Sequence, residues 1–290
     1  MSNYNPWVTP LNRQSTKDLP MGGKVEYEDI DRSCDVLSSL LYTLFQENWQ
    51  QVELGHVAQG GVLELAFTTP PKICILYDGY LTVVTEAWHL HLCIDDNLGG
   101  PNNQTPLELR RQRRVSRVAF YRRFNKHEQP RSWGIEFWNG ADENVMTIFF
   151  PNPLVDGENL LPEGKPNLSK LALYEELRDI YVLGKKPMPF TQNPLKRSYI
   201  SVCTSGRCLP SRNWQSTYES LKNAVAKADL DIEVRTSGCL EVCKLGPVVF
   251  NSKDRTWYTR VKPEIAEEIV EKHLVRGNKV TKYLYPPEST

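Results

Sequence analysis

The sequence predicts an α+β chain in two parts: an N-terminal antiparallel sheet with flanking helices, then a smaller C-terminal α/β domain. Three observations predict it. Residues 30–184 carry a series of strand-like runs between two amphipathic helical segments. Residues 198–290 read as strand, helix, strand, hairpin and helix. Between them GKKPMPFTQNPLKR breaks both patterns with three prolines and a cationic, aperiodic composition. The expected division is therefore 1–184, a linker 185–197, and 198–290. A length of 290 residues suits about two domains, and 40% hydrophobic content supplies ordinary cores.

The N-terminal part opens on a helix from about Ile30 to Gln50, with Leu37, Leu40, Leu41, Leu44 and Phe45 on one face. Strands are expected at Val62–Phe67, Ile73–Tyr77, Leu81–Val84, Ala87–Asp95, Val115–Phe124, Trp133–Trp138 and Val145–Phe150. Thr105 and Pro106 have the signature of a cap and first turn, opening a short helix that runs to Arg114. A closing helix spans Ser169–Leu183 and ends at Gly184, a natural C-terminal cap.

In the C-terminal part Ser198–Val202 reads as a strand, Trp214–Ala228 as an amphipathic helix and Asp231–Arg235 as a second strand. Pro247–Asn251 and Thr256–Arg260 alternate like a hairpin around Ser252–Arg255. A last helix opens at Pro263, with Glu264, Glu267 and Glu268 near its positive end.

Four of the seven cysteines fall in this part as two close pairs, Cys203 with Cys208 and Cys239 with Cys243, about thirty residues apart. Two such pairs on separate loops can converge on one metal centre. Four thiolates satisfy either a tetrahedral zinc ion or the two irons of a [2Fe-2S] cluster, and the spacing alone admits both. Disulfides fit less well, since the number of cysteines is odd and MSNYNPWVTP has neither a basic start nor an apolar core of leader length. A reducing, cytoplasmic setting is expected.

The segments VCTSGRC, SGCLEVCKLGPVVF and WYTRVKPEIAEEIVEKHLVRGNKV, in that order, closely resemble the thioredoxin-like [2Fe-2S] ferredoxins, including the subunit of that type in respiratory complex I. The resemblance covers Ser198 to about Leu284. It implies a thioredoxin-like α/β fold and a [2Fe-2S] cluster held by Cys203, Cys208, Cys239 and Cys243. Such a centre exchanges one electron at a time. Arg207, Arg212, Arg235 and Lys244 lie close to these cysteines in sequence; near the cluster in space they would favour its reduced form and attract an acidic redox partner protein.

In the N-terminal part AWHLHLCID is the most informative stretch. On a strand His89, His91 and Cys93 share one face, and Trp88, Leu90, Leu92 and Ile94 the other. Two neighbouring imidazoles can grip one metal ion, or one can bind a haem iron while the next supports it; the plain alternative is the wetter face of a sheet. From Arg110 to Arg131 nine Lys or Arg residues stand against one acid, Glu128. That cluster suits a ligand bearing carboxylates, haem propionates among them, a docked acidic protein, or plain solvent.

Taken together, LHLCIDD, TPLELRRQRRVSRVAFYRR and SWGIEFWNGADENVMTIFFPNP resemble the repeat unit of the haem-utilisation proteins of the HemS, ChuX and HutX type. The resemblance implies haem binding, storage or breakdown, with His89 or His91 as the iron ligand and Arg122 and Arg123, at the strand's end, in the cofactor site. The larger members carry the unit twice and this chain once, which leaves a complete haem-degrading site in doubt.

Cys34 and Cys74 read as small core residues, His56 and His127 as surface or turn residues, and His273 as a packing residue of the last helix. No nucleophile elbow, phosphate-cradling glycine loop or dinucleotide fingerprint is present in the sequence. A formal net charge of zero, from 35 basic and 35 acidic residues, argues against a general nucleic-acid or membrane-surface role, and the apolar runs are shorter than a membrane span. The leading expectation is an iron-sulfur protein passing single electrons to or from a haem or related tetrapyrrole on the N-terminal domain. A redox or haem sensor docking a partner protein, and a metal-dependent enzyme using the histidine pair, are the alternatives.

Overall fold

The structure, a computed structural model, describes residues 14–58, 61–157, 159–162, 165–204, 214–238, 240, 242 and 244–285. In chain order the first elements are β1 (Gln14–Asp18), β2 (Lys24–Asp29), α1 (Cys34–Tyr42), β3 (Glu53–Ala58), β4 (Gly61–Ala66), β5 (Ile73–Tyr77), β6 (Tyr80–Val84) and β7 (His89–Cys93). The short β8 (Gly99–Gly100) and β9 (Asn103–Gln104) precede α2 (Leu107–Arg113), β10 (Val115–Phe124), β11 (Pro130–Asn139) and β12 (Asn144–Phe149). Next come the short β13 (Val155–Asp156) and β14 (Asn159–Leu160), then α3 (Ala172–Tyr181). The chain continues through β15 (Tyr199–Cys203), α4 (Trp214–Lys227), β16 (Glu233–Ser237), β17 (Val249–Asn251), β18 (Thr256–Tyr258), α5 (Pro263–Ile269) and β19 (Leu284–Tyr285). The fold class is α+β. No helix among the described residues is long and apolar enough to cross a membrane.

Two compact units result. The first holds the described residues up to Leu98 together with Pro106–Leu195, and the second holds Gly99–Thr105 and the chain from Lys196. Besides the short β13-β14 hairpin, the first unit contains two antiparallel sheets where a single one was expected. One has seven strands in the order β1-β2-β10-β11-β12-β3-β4; the other is the meander β5-β6-β7. The main core packs Leu37, Leu40 and Leu41 of α1 and Leu173, Tyr174 and Leu177 of α3 with Val118, Phe120, Ile135, Phe137 and Ile148 of the large sheet. Leu81, Val83 and Leu92 bring the inner face of the small sheet into the same core. Leu195, expected in a free linker, is also buried there.

The apolar stripe of the first helix is where the sequence places it, and all five of its residues are fully buried. The α-helix itself is shorter than expected. Ile30 still belongs to the sheet, its N–H donating to the Val118 carbonyl, and Asp31 accepts the Ser33 N–H at 2.8 Å. At the other end the last turn widens after Tyr42, and the Asn48 amide donates to the Thr43 carbonyl at 3.0 Å. The helix after Thr105 also starts later than expected, with Pro106 as its cap.

An ion pair inside the core ties α3 to β2. Nη2 of Arg178 donates to Oε1 of Glu28 at 2.8 Å and Nε donates to Oε2, with both side chains no more than 3% exposed. Burial opposes the charge on Arg178, but its bonds to Glu28 and the field of that carboxylate outweigh this and raise its pKa. The neighbouring Tyr174 hydroxyl donates to the Tyr121 carbonyl of β10 at 3.1 Å.

In the second unit β15 runs parallel to β16 and antiparallel to β17, giving the order β16-β15-β17-β18-β19. Ile200, Val202, Val249 and Tyr258 pack against Leu221 and Val225 of α4 and Ala266 and Ile269 of α5. His273, 7% exposed, bridges the Tyr258 hydroxyl at 2.9 Å and the Asp254 carboxylate at 2.9 Å. The β8-β9 hairpin joins this unit through Asn102, which accepts the Tyr285 hydroxyl, and Gly99, whose carbonyl accepts from Arg255.

Candidate functional site

Cys203 ends β15, a strand whose residues are all buried. Its N–H donates to the Val248 carbonyl at 2.9 Å, and both the N–H and the hydroxyl of Thr204 donate to the Ser237 carbonyl at 3.0 Å. The strand end is thus held from both sides. Ser237 stands directly opposite Cys203 in the parallel ladder, so the two side chains share a face. The buried Ser237 hydroxyl has no hydrogen-bond partner among the described residues, and neither does that of Ser201 two positions earlier. Cys208, Cys239 and Cys243 lie outside the described residues, as do Arg207 and Arg212.

A rigid strand end with an uncommitted buried donor beside its thiol fits a sulfur-rich, hydrogen-bond-accepting group. The donor set read from sequence, four cysteines, has the chemistry of the same group. Arg235 lies on this face with its guanidinium 3.1 Å from the Tyr199 ring centroid and 3.9 Å from Glu233, so its charge is already engaged. Lys244 takes a left-handed backbone, φ +70°.

The histidine strand is β7, shorter than expected, with Ala87, Trp88, Ile94 and Asp95 outside the ladder. Its alternation is as read from sequence, with His89 and His91 exposed and Leu92 buried. Opposite His89, His91 and Cys93 stand Val84, Thr82 and Tyr80 of β6, and beyond them Ile73, Ile75 and Tyr77 of β5. The solvent side of the small sheet is therefore an apolar plate with two imidazoles at one edge. The rings of His89 and His91 lie 5.4 Å apart, and Nδ1 of His91 is hydrogen-bonded to the Thr82 hydroxyl at 3.0 Å. Partial burial and the neighbouring His89 lower the pKa of His91, which favours the neutral ring. Cys93, on the same face, is buried, with its Sγ toward the Asp95 carbonyl at 3.3 Å; burial pushes its thiol up to about 11.

The structure does not gather Arg122 and Arg123 with these histidines. Arg122 is on the core side of β10, paired with Glu26 at 3.3 Å, and Arg123 points to the opposite side of the same sheet. The cations that flank the histidine row come from α2. Arg110 pairs with Asp96 at 3.2 Å, Arg113 donates to Asn97 at 3.2 Å, and Arg114 pairs with Asp95 at 3.6 Å, all just beyond β7. The Arg113 charge also lies close enough to the Tyr80 hydroxyl to oppose the rise that burial gives its pKa. Sequence reading missed the roles of Tyr80, Thr82, Arg113 and Arg114. Arg113 and Arg114 were visible as part of the basic cluster, but only the strand register shows which of its members sit beside the histidines.

The remaining candidates are ordinary. Cys34 is buried in α1 against Ser38, and burial pushes the Cys74 thiol up to about 12, which keeps Cys74 protonated at neutral pH. His56 and His127 are exposed.

A 2Fe-2S ferredoxin of Aquifex aeolicus is 49% identical over 47 residues, 16% of this chain and 42% of the ferredoxin, so that match spans under half of that relative's length. A 2Fe-2S ferredoxin of Clostridium pasteurianum is 33% identical over 94 residues, 29% of this chain and 91% of the ferredoxin. Among solved structures ChuX is 16% identical with a TM-score of 0.33, covering 56% of this chain and 79% of its own. The chain belongs to the family of unknown function DUF7676, which matches residues 14–183, and carries in addition a domain of the [2Fe-2S] ferredoxin family.

Proposed function

We propose that this chain is a one-electron carrier whose ferredoxin domain exchanges electrons with a haem or related tetrapyrrole held on the histidine face of the first unit. The observation that carries the first half is the ferredoxin relationship over 91% of the Clostridium pasteurianum protein, together with Cys203 and its three companion cysteines. A [2Fe-2S] cluster held there supplies electrons singly. The chain's own part is to fix Cys203 on a strand end bonded on both sides and to offer the Ser237 hydroxyl as a donor toward sulfur.

The second half rests on the small sheet. Ile73, Ile75 and Val84 offer a flat apolar surface to a macrocycle, one of His89 and His91 offers an imidazole, and Arg113 with Arg114 stands where ligand carboxylates would end. Arg122 and Arg123 have no part in that arrangement. In this reading the chain's electrons come from a separate, acidic redox protein.

An anaerobic visible spectrum before and after dithionite, with iron and zinc assayed on the same sample, tests the first half. Two irons per chain and bands that bleach on reduction are expected; a colourless zinc protein overturns the electron-transfer reading. Haem titration tests the second half. A Soret band weakened in His89→Ala or His91→Ala is expected, and an unchanged band in both variants rejects the histidine face.

A further inference from the structure

We propose that His89 and His91 together form a bidentate site for one divalent transition-metal ion of the zinc or nickel class. The inference rests on the histidine face being a ligand site but not on any tetrapyrrole. It differs in its coordination. A macrocycle occupies all four equatorial positions of its metal, so two imidazoles on the same side cannot both reach it. A bare ion can take both.

The geometry decides between a chance pair and a bite. With a metal to nitrogen distance of about 2.1 Å, a ring centroid roughly 1.1 Å further on and a tetrahedral angle, two in-plane imidazoles on one ion have centroids about 5.2 Å apart. His89 and His91 stand at 5.4 Å before any ion is bound. They sit at i and i+2 on a paired strand, so the backbone holds both side chains on one face within reach of a common ion. The rings are exposed, which leaves an entry route and little desolvation cost.

The second shell is also in place. The bond between Nδ1 of His91 and the Thr82 hydroxyl ties the ring to the neighbouring strand; in the tautomer with the proton on Nδ1, the Nε2 lone pair is left for a metal. Among the described residues no third His, Cys, Asp or Glu joins the pair. Two protein ligands leave the remaining positions to water or to a small anionic ligand, which makes the site open and exchangeable. Imidazole donors favour zinc, nickel and copper over magnesium or calcium. An ion there and a tetrapyrrole on the same imidazole exclude each other, so metal supply would set access to the plate.

Equilibrium dialysis of zinc against the full, cluster-loaded chain tests this, with iron content and visible absorbance followed in parallel so that uptake by the cysteines is recognised. Binding of one zinc per chain without iron loss is expected. His89→Ala and His91→Ala should each weaken it at least tenfold, the double variant should be little worse than either, and Thr82→Val should weaken it several-fold. His127→Ala, on an exposed turn of the same unit, should leave it unchanged. Equal zinc binding by wild type and both single variants, or uptake only as iron is lost, overturns the proposal. Zinc binding without haem binding leaves it standing and removes the tetrapyrrole reading; a haem titration that responds to His89→Ala or His91→Ala, with no zinc bound, does the reverse.

Discussion

Replacing Arg178 by methionine removes one half of the ion pair between α3 and β2. Both side chains are almost wholly buried, and two hydrogen bonds join them. The variant leaves the Glu28 carboxylate in the core without the guanidinium that pairs it, and breaking such a pair from one side costs about 3–5 kcal/mol. For a unit of this size, at ~2–4 °C per kcal/mol, the first unit's melting temperature should fall by roughly 6–20 °C. Far-ultraviolet circular dichroism followed through a thermal melt reads the loss directly. The control is the double variant Glu28→Gln with Arg178→Met, which removes the charge as well as its partner. It should recover most of the stability, since replacing a buried pair by neutral groups is often close to neutral. A single variant that melts within about 1 °C of wild type, well under the loss expected from an uncompensated buried charge, would refute the argument that this pair carries its charge in the core.

Three further outcomes follow from particular residues. Cys203→Ala should cut iron per chain sharply while leaving the melt of the first unit unchanged, read by iron assay and calorimetry; full iron content would remove Cys203 from the ligand set. Gly134→Ala should cost about 1–3 kcal/mol in a denaturant titration, because a Cβ there runs into the Tyr121 ring and the Ile148 carbonyl. Glu136, hydrogen-bonded by the Tyr27 hydroxyl, has its pKa raised by burial against the opposing pull of that bond and of Lys17, Arg117 and Arg123. The folded state therefore binds its proton more tightly than the unfolded chain, and stability should decline as pH rises from the ordinary carboxylate range through the raised value. Glu136→Gln should flatten that decline in melts taken across the range; an unchanged slope would count against the raised pKa.

Where one principle acts alone, the sequence was easy to read. β5 and β10 have the bounds their alternation predicts, because Cys74 and Leu76 of β5 and Val118 and Phe120 of β10 meet the core at every second position. The stripe of α1 was equally plain, while its end depended on an amide of Asn48 reaching back to a carbonyl, a contact that periodicity does not encode. β1 and β2 were invisible for a sharper reason. In KVEYED the expected inward residues are Val25 and Tyr27, yet these lie on the outer side of the large sheet. The residues turned to the core are Glu26 and Glu28. A strand that turns its acids to the main core and its apolar residues to a smaller cluster on the other face reads as a polar loop, because the arginines that neutralise those acids come from Arg122 and Arg178, about 100 to 150 positions later.

The same inversion explains the site. With β2 unread, Arg122 looked like a free cation at the end of a strand, available to a ligand; its register places it opposite Glu26, and that pairing gives it a structural task. Position in the basic cluster therefore said little about position in space. Arg110, Arg113 and Arg114, from the helical part of the cluster, reach the end of the histidine row because Asp95, Asp96 and Asn97 hold them there. Arg123, from the strand part, faces away from the core on the other sheet. The histidine pair was legible because strand alternation is local and needs no partner. Whatever ligand the plate takes, its polar selectivity must come from α2, and replacing Arg113 and Arg114 together is a more searching test of that selectivity than any change at the end of β10.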